Sequence, residues 1–199
     1  MVSKILLIFI KNPRLGHVKT RLARTVGDAE ALRIYQVLLG KTCTAASNTM
    51  ARRLLFYSES IEENDAWPVS GFEKHLQSGG DLGARMEDAF RQAFAEGVRK
   101  VIIIGSDCPE LSGKLLNAAF EQLDNADMAI GPTPDGGYYL LGMRRFEPAV
   151  FRNVAWSTEH VFTQTADMLK SLGYSMALLP SLPDIDTEED WRQYEDQPL

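Results

Sequence analysis

The chain has 199 residues and a formal net charge of −6, with 21 Lys and Arg residues against 27 Asp and Glu residues. A chain of this length buries roughly 70% of its unfolded surface, so we expect one domain over residues 1–199 that needs no metal or disulfide to fold. The acidic balance excludes an overall positive field, which argues against a nucleic acid or an anionic membrane as partner. The two cysteines, Cys43 and Cys108, have neither redox nor metal-ligand spacing, which favours a reducing, cytoplasmic location.

Apolar strand patterns alternate with helical patterns along the chain. The first apolar run, residues 4–10, is too short for a membrane span and is predicted to be a buried strand. The further predicted strands cover residues 53–58, 100–105, 127–131, 137–143 and 174–179, and the predicted helices cover residues 28–46, 82–96, 112–124, 158–172 and 188–196. This alternation predicts an α/β fold with a mostly parallel sheet covered on both faces, and the continuous apolar runs place the first and third strands centrally.

The loop after the first strand gathers four cations in an acidic chain: Lys11, Arg14, Lys19 and Arg21. It is not a Walker A loop, because two residues separate Gly16 from the Lys-Thr pair. A turn that leads into a helix start offers free N–H groups to an anion, with Lys11, Lys19 and Arg21 as charge partners. The alternative is a solvated turn with surface cations, and the loop alone does not decide between the two.

A second cluster, residues 77–86, has both a structural and a functional interpretation. Asp81 is a plausible N-cap of the following amphipathic helix, which explains much of the pattern. Gly79 would allow a ligand to approach the backbone, and Gln77 could read a nucleobase edge.

Asp107 follows the third strand directly, at the sheet edge where ligands of parallel α/β proteins bind. A carboxylate there is costly to desolvate unless it is paired, capped or bound to a cation. A hard cation that carries phosphates needs only one or two protein carboxylates. The alternative is an Asx-type turn before Pro109.

Two later segments complete the candidate site. In residues 131–142, Asp135 suits sugar hydroxyls and the Gly136-Gly137 pair allows close approach, although an ordinary turn followed by a strand from Tyr138 is the alternative. In residues 184–191, Thr187 and Asp190 form the pattern of a capping box. We expect Asp184 and Asp186 to point to opposite sides of an extended segment, so that at most one faces the site and is available as a second metal ligand.

In this order the clusters resemble the glycosyltransferase-A-like family DUF2064 of the nucleotide-diphospho-sugar transferase superfamily. The motifs that carry the resemblance are Lys11-x-Pro13-x-x-Gly16-x-x-Lys19-Thr20-Arg21-Leu22, Gln77-x-Gly79-x-Asp81-Leu82-Gly83-x-Arg85-Met86, Gly105-Ser106-Asp107-Cys108-Pro109, Asp135-Gly136-Gly137-Tyr138-Tyr139-Leu140-Leu141-Gly142, Trp156-Ser157-Thr158 and Asp184-Ile185-Asp186-Thr187. They extend over nearly the whole chain.

The resemblance implies a single-domain, Rossmann-like three-layer αβα sandwich that binds a nucleotide through its first loop. It implies Mg²⁺ or Mn²⁺ on Asp107, with Asp186 as second ligand. Lys19 and Asp107 are then the expected catalytic residues. The expected nucleotide-binding residues are Lys11, Gly16, Lys19, Arg21, Gln77, Gly79 and Arg85, and the expected acceptor or sugar rim comprises Asp135, Gly136, Gly137 and Tyr138.

The expected function is a metal-dependent transfer that uses a nucleotide or nucleotide-sugar and a small-molecule acceptor. The first loop has a single glycine, Gly16, rather than a glycine-rich sequence, and Asp107 stands alone rather than in a D-x-D motif. Glycosyl transfer from a nucleotide-sugar and nucleotidyl transfer from an NTP therefore both stay open. The alternative from another class is a non-catalytic nucleotide-binding protein, suggested by the sparse metal ligands and the absence of an evident base. The sequence leaves the oligomeric state open.

Overall fold

The structure, a computed structural model, describes residues 3–196 and contains a seven-stranded sheet with helices on both faces. The strands are β1 Lys4–Ile10, β2 Arg52–Tyr57, β3 Glu73–Leu76, β4 Lys100–Ile104, β5 Met128–Pro132, β6 Tyr138–Met143 and β7 Met176–Leu178. The helices are α1 Thr20–Val26, α2 Asp28–Ser47, α3 Leu82–Ala95, α4 Gly113–Gln122, α5 Val161–Ser171 and α6 Glu188–Glu195, with a 3-10 turn at Pro148–Phe151.

The strand order is β3-β2-β1-β4-β6-β5-β7, so β1 and β4 are inner strands, as their continuous apolar sequences predict. All pairings are parallel except those of β6, which runs antiparallel to both β4 and β5. The predicted mostly parallel α/β sheet is confirmed. Because of the reversal, β6 begins at the edge of the sheet where the parallel strands end.

Alternate residues of β1 face the two helical layers, which makes the fold a three-layer sandwich. Leu6 and Ile8 pack in one cluster with Tyr35 of α2 and Phe120 of α4. Ile5 and Leu7, which alternate with them along β1, pack in a second cluster on the opposite face. Their partners in that cluster include Met86 and Phe90 of α3 and Leu169 of α5. Full burial of an Ile or Leu side chain contributes about 2 kcal/mol, so this two-faced core fixes the strands that end at the candidate site.

The sequence pattern misses β3 and the 3-10 turn, and it gives α1 only as a helix start. Strand β3 is short and lies at the sheet edge, and its residues do not alternate between apolar and polar. The predicted caps are confirmed: Asp81 accepts a hydrogen bond from the backbone N–H of Ala84, and Thr187 and Asp190 form a capping box. Within residues 3–196 no helix has the length and apolarity that crossing a membrane requires.

Candidate functional site

The segment that follows β7 runs along the carboxyl edge of the sheet and brings distant residues together. The backbone N–H of Leu179 donates to the Ile130 carbonyl (2.9 Å), and that of Leu182 donates to the Pro132 carbonyl (3.2 Å). Farther on, the N–H of Ile185 donates to the Asp107 carbonyl (3.0 Å). These bonds place Asp184 and Asp186 beside the loop that follows β4.

Lys19 lies between two of the aspartates selected from the sequence. Its Nζ is 2.6 Å from Oδ1 of Asp107 and 3.4 Å from Oδ1 of Asp186. The Lys19 side chain is 5% exposed, whereas those of Asp107 and Asp186 are 49% and 39% exposed. Arg21, which is well exposed, places Nη1 3.3 Å from Oδ2 of Asp186. Four residues from three remote parts of the sequence therefore form one ion-pair cluster at the sheet edge.

The backbone of Lys19 adopts a conformation that L-residues rarely take. Its φ and ψ are 48° and 45°, in the left-handed region, and it precedes α1 as N-cap without a side-chain capping bond. The left-handed conformation costs a non-glycine residue about 1–2 kcal/mol. Gly16, in the same loop, has a φ of 76° at little cost. Strain of this kind persists only where the surroundings over-determine it, and it is typical of ligand-binding segments.

The expectation that Asp184 and Asp186 point to opposite sides is wrong. Residues two apart in an extended segment share a face, and Ile185 between them is buried against Leu22 and Trp191. Burial, and after it the nearby carboxylates of Asp135 and Asp186, raise the pKa of Asp184 to about 6 against an opposing effect of Lys19. The cluster therefore has a surplus of acidic groups.

Arg14 and Asn12 fasten the first loop to the loop that follows β2. Arg14 pairs with Glu59 at 2.8 Å, so this cation is neutralised away from Asp107. Asn12 is 1% exposed; its Nδ2 donates to the Ser60 carbonyl (2.8 Å) and to Oε1 of Glu62 (3.1 Å), and its Oδ1 accepts from Glu59 N (3.0 Å). Sequence reasoning misses Asn12, because an Asn before a Pro is typical of an ordinary turn.

Tyr35 of α2 joins the loops that follow β1 and β4. Its buried hydroxyl accepts from Lys11 N (2.9 Å), donates to the Lys11 carbonyl (3.1 Å) and lies 3.1 Å from Oγ of Ser106. Burial raises the pKa of this hydroxyl well above its usual range. The backbone of Lys11 is thereby fixed while the residue stays exposed. Tyr35 belongs to an apolar helical face, and no sequence signal separates it from core.

Gln77 holds strand ends together rather than presenting a free amide. Its Nε2 donates to the carbonyls of Ile10 and Phe56, both at 3.1 Å, and its Oε1 accepts from Nη1 of Arg85 at 2.9 Å. With both amide hydrogens engaged, this geometry gives Gln77 no free donor for a nucleobase edge. Gly79 is exposed, and a Cβ there would meet no atom within 4 Å. Gln77 also positions Arg85 at the same edge of the sheet.

The loop between β5 and β6 is internally bonded. The Asp135 carboxylate accepts from the Thr133 hydroxyl and from Gly137 N (3.1 Å). Gly136 has a φ of 88°, and a Cβ there would lie 2.0 Å from the Glu159 carbonyl oxygen, so packing of the chain on itself explains this glycine. The expectation that Tyr138 lines the rim is wrong for its side chain, because its hydroxyl is buried and its ring packs edge-on against Trp156.

The donor set at the cluster suits a hard cation that brings other ligands with it. Within residues 3–196 no group of three or more His, Cys, Asp or Glu side chains is arranged to hold a metal ion. Asp107 and Asp186 offer two partly exposed carboxylates, which are donors suited to Mg²⁺ or Mn²⁺ when phosphate and water oxygens complete the shell. The residues therefore fit a cation delivered with a phosphate ligand.

A family model described as "uncharacterized protein conserved in bacteria (DUF2064)" matches residues 41–158, more than half of the chain. The chain belongs to this family. A solved relative, a proposed nucleotide-diphospho-sugar transferase from Desulfovibrio desulfuricans G20, is 32% identical, and the match covers 98% of this chain and 87% of that one with a TM-score of 0.92. The family model leaves out the first loop and Asp184–Asp186 of this DUF2064 protein, whereas the match to the D. desulfuricans relative extends over nearly the whole chain.

More distant structures share the fold of this DUF2064 protein. A cytidylyltransferase from Leptospira borgpetersenii is 14% identical, with 98% of this chain and 86% of that chain covered and a TM-score of 0.58. A manganese complex of a Mycobacterium tuberculosis H37Rv protein is 11% identical, with 97% and 99% covered and a TM-score of 0.55. No curated protein matches the chain. At these identities the two structures show a shared fold and no more.

Proposed function

We propose that this DUF2064 protein is a metal-dependent transferase that acts on a nucleotide or nucleotide-sugar and a small-molecule acceptor. The observation that carries the proposal is the nearly buried Lys19 ammonium between Asp107 and Asp186 at the carboxyl edge of the sheet. In open α/β sheets this edge is where ligands bind. The likeness to the D. desulfuricans protein and the shared cytidylyltransferase fold support the same substrate class.

The charge balance of the cluster favours a metal-nucleotide complex over a bare nucleotide. Asp107 and Asp186 pair with the two cations Lys19 and Arg21, and two further carboxylates lie near them, Asp184 beside Asp186 and Asp135 beside Asp184. A phosphate chain alone would be repelled by this surplus of negative charge, whereas a divalent cation between the carboxylates and the phosphates removes the repulsion. The metal, when bound, would neutralise charge that develops on the leaving phosphate.

Within this proposal the side chains of the protein bind and orient the phosphates. Lys19 and Arg21 would donate to phosphate oxygens and stabilise the negative charge on the leaving group. Lys11, Gly16, Gly79 and Arg85 would border the nucleotide at the same sheet edge. Asp135, Gly136 and Gly137 would present the loop backbone and one carboxylate to the sugar or the acceptor.

Two reactions fit this arrangement and differ in the bond that breaks. In nucleotidyl transfer the acceptor attacks the α-phosphorus of an NTP and pyrophosphate leaves. In glycosyl transfer the acceptor attacks the anomeric carbon of a nucleotide-sugar and a nucleoside phosphate leaves. The identity of the released product decides between them.

The test is a thermal-shift screen of NTPs and nucleotide-sugars with and without Mn²⁺, followed by product analysis with the ligands that stabilise the protein. We expect a metal-dependent rise in melting temperature for one nucleotide class, and release of either pyrophosphate or a nucleoside phosphate on addition of acceptor. Stabilisation without turnover across a broad acceptor panel would instead show a non-catalytic nucleotide-binding protein. No stabilisation by any nucleotide would refute the proposal.

A further inference from the structure

Lys19 lies in the space that a divalent cation bound to both aspartates would need. Its Nζ is 2.6 Å from Oδ1 of Asp107 and 3.4 Å from Oδ1 of Asp186. Mg²⁺ and Mn²⁺ bind carboxylate oxygens at roughly 2.0–2.3 Å, so an ion shared by these two oxygens would lie in direct contact with the ammonium. Two cations at that separation repel strongly, which means that metal and ammonium cannot both hold this pair of carboxylates.

We propose that Lys19 is an internal competitor of the divalent cation: in the nucleotide-free protein it occupies the Asp107–Asp186 pair, and the metal binds tightly only after Lys19 has moved to a phosphate. The movement of Lys19 to a phosphate rests on the proposed function. The occupation of the Asp107–Asp186 pair by Lys19 is a property of the free protein and does not depend on the identity of the substrate.

The structure supports competition by Lys19 rather than by Arg21. The side chain of Lys19 is almost fully buried, so its ion pairs are screened by solvent far less than those of the exposed Arg21. The left-handed backbone at Lys19 fixes the origin of the side chain. The carboxylates are each about half exposed, so a metal can approach them from solvent once the ammonium has left.

Replacement of Lys19 by a divalent cation would also keep the carboxylates of Asp107 and Asp186 neutralised. While Lys19 and Arg21 are paired, Asp107 and Asp186 are neutralised without metal. A phosphate chain offers Lys19 equivalent oxygen acceptors, and the carboxylates released by the exchange then need a new counterion, which the divalent cation supplies. Metal and nucleotide are therefore expected to enter together.

The experiment measures Mn²⁺ binding alone, without nucleotide, from the electron paramagnetic resonance signal of free Mn²⁺ in the wild type and in Lys19→Met. Since the variant removes the ammonium that holds both carboxylates, we expect Lys19→Met to bind Mn²⁺ about tenfold or more tightly than the wild type does. The matched control is Arg14→Ala. It also removes one positive charge from the first loop, but Arg14 is paired with Glu59 rather than with Asp107 or Asp186. It should change Mn²⁺ affinity by less than about twofold at physiological salt, because Arg14 is exposed and already paired with Glu59.

Equal Mn²⁺ affinity in the wild type and Lys19→Met would overturn the proposal, as would an equal gain in Arg14→Ala. The gain should vanish in the double variant Lys19→Met, Asp107→Asn, and its persistence there would show that the ion binds elsewhere. Lys19→Gly, which accepts the positive φ, repeats the test should Lys19→Met fold poorly. A failed nucleotide screen would remove the proposed function and leave this measurement intact. If Lys19→Met binds Mn²⁺ no more tightly than the wild type but still binds nucleotide, the proposed competition is wrong and the proposed function still stands.

Discussion

Asp127 and Asp107 lie at opposite edges of the same sheet and have opposite environments. Asp127 precedes β5, is 14% exposed and accepts four hydrogen bonds: from Ser175 N (3.0 Å) and Oγ (2.6 Å), and from Arg144 Nε (2.9 Å) and Nη2 (2.7 Å). Asp107 follows β4 and is half exposed, and within residues 3–196 its side chain has one ion-pair partner, Lys19.

The difference shows which edge is used to hold the fold and which is available to a ligand. The carboxylate of Asp127 has its acceptor positions filled by the protein, so it joins the start of β5 to the residues beside β6 and β7. The carboxylate of Asp107 has open positions toward solvent and a partner that can exchange. Residue type alone does not separate the two; the number of internal partners does.

The largest effect that follows from this contrast concerns Asp127→Ala. We expect the free energy of unfolding to fall by about 2–4 kcal/mol, because the change leaves the Ser175 N–H and the Arg144 guanidinium without their acceptor. Urea unfolding followed by circular dichroism measures it, with nucleotide binding unchanged as the control. A loss below about 1 kcal/mol would mean that Asp127 does not hold this edge.

At the other edge, Lys19→Ala and Arg21→Ala should each weaken nucleotide binding by about 1–3 kcal/mol, the range for hydrogen bonds to charged groups. Titration calorimetry with a nucleotide identified by the screen measures the change. Arg144→Ala, which removes a cation from the Asp127 edge, should leave the affinity as it is. Unchanged affinity in both first-loop variants would exclude this loop from the site.

The two edges should also respond oppositely to pH. The pKa of Asp127 is lowered from 3.8 to about 2 by its bonds to Ser175 and Arg144, so its contribution to stability is complete above about pH 4 and is lost as the pH falls toward 2. The pKa of Asp184 is raised from 3.8 to about 6 by burial and then by Asp135, so stability is lost as the pH rises from about 4 to 6.

Urea midpoints between pH 2 and 7 in metal-free buffer test this prediction. Asp127→Asn should flatten the acid side of the stability profile, and Asp184→Asn should remove the decline toward neutral pH. A profile for Asp184→Asn that runs parallel to the wild type from pH 4 to 7 would contradict the assigned environment of Asp184.

The smallest change in stability should come from Asp107→Asn. In metal-free buffer we expect less than about 1 kcal/mol, since Asp107 is half exposed and Lys19 keeps its ion pair with Asp186 in the variant. In the presence of nucleotide the same variant should lose the Mn²⁺-dependent rise in melting temperature. A variant that retains the full metal-dependent rise would show that Asp107 does not hold the cation, and a large loss without metal would make Asp107 a structural residue like Asp127.

The sequence predicts the parts of this fold that repeat a local pattern. Apolar runs and helical stripes identify β1, β4, α2 and α3, because burial on one or both faces leaves a periodic signature. The signature is absent from β3, which lies at the edge with little burial. The direction of β6 is not local information either, since an antiparallel strand buried on both faces has the same apolar sequence as a parallel one.

The candidate site was predictable where a residue type stood out at a strand end, and unpredictable where its role depends on distant partners. Asp107 has an unusual position directly after an apolar strand, and Lys19 contrasts with the acidic chain. Tyr35 lies 71 residues from Ser106 in the sequence, and Asn12 lies 50 residues from Glu62, so neither contact has a local trace. The metal and nucleotide roles of the site residues remain predictions.

The reversed direction of β6 has a consequence for how the crevice adapts to its ligands. A parallel strand in that position would need a long crossover, whereas the antiparallel one is reached by a tight hairpin, residues 133–137, closed by bonds from Thr133 N to the Gly137 carbonyl (3.1 Å) and from Gly136 N to the Thr133 carbonyl (3.2 Å). The Gly136 carbonyl in turn accepts from Phe162 N of α5 (2.8 Å). The hairpin beside the candidate site is thereby preorganised, so binding of a ligand against it would cost little backbone entropy.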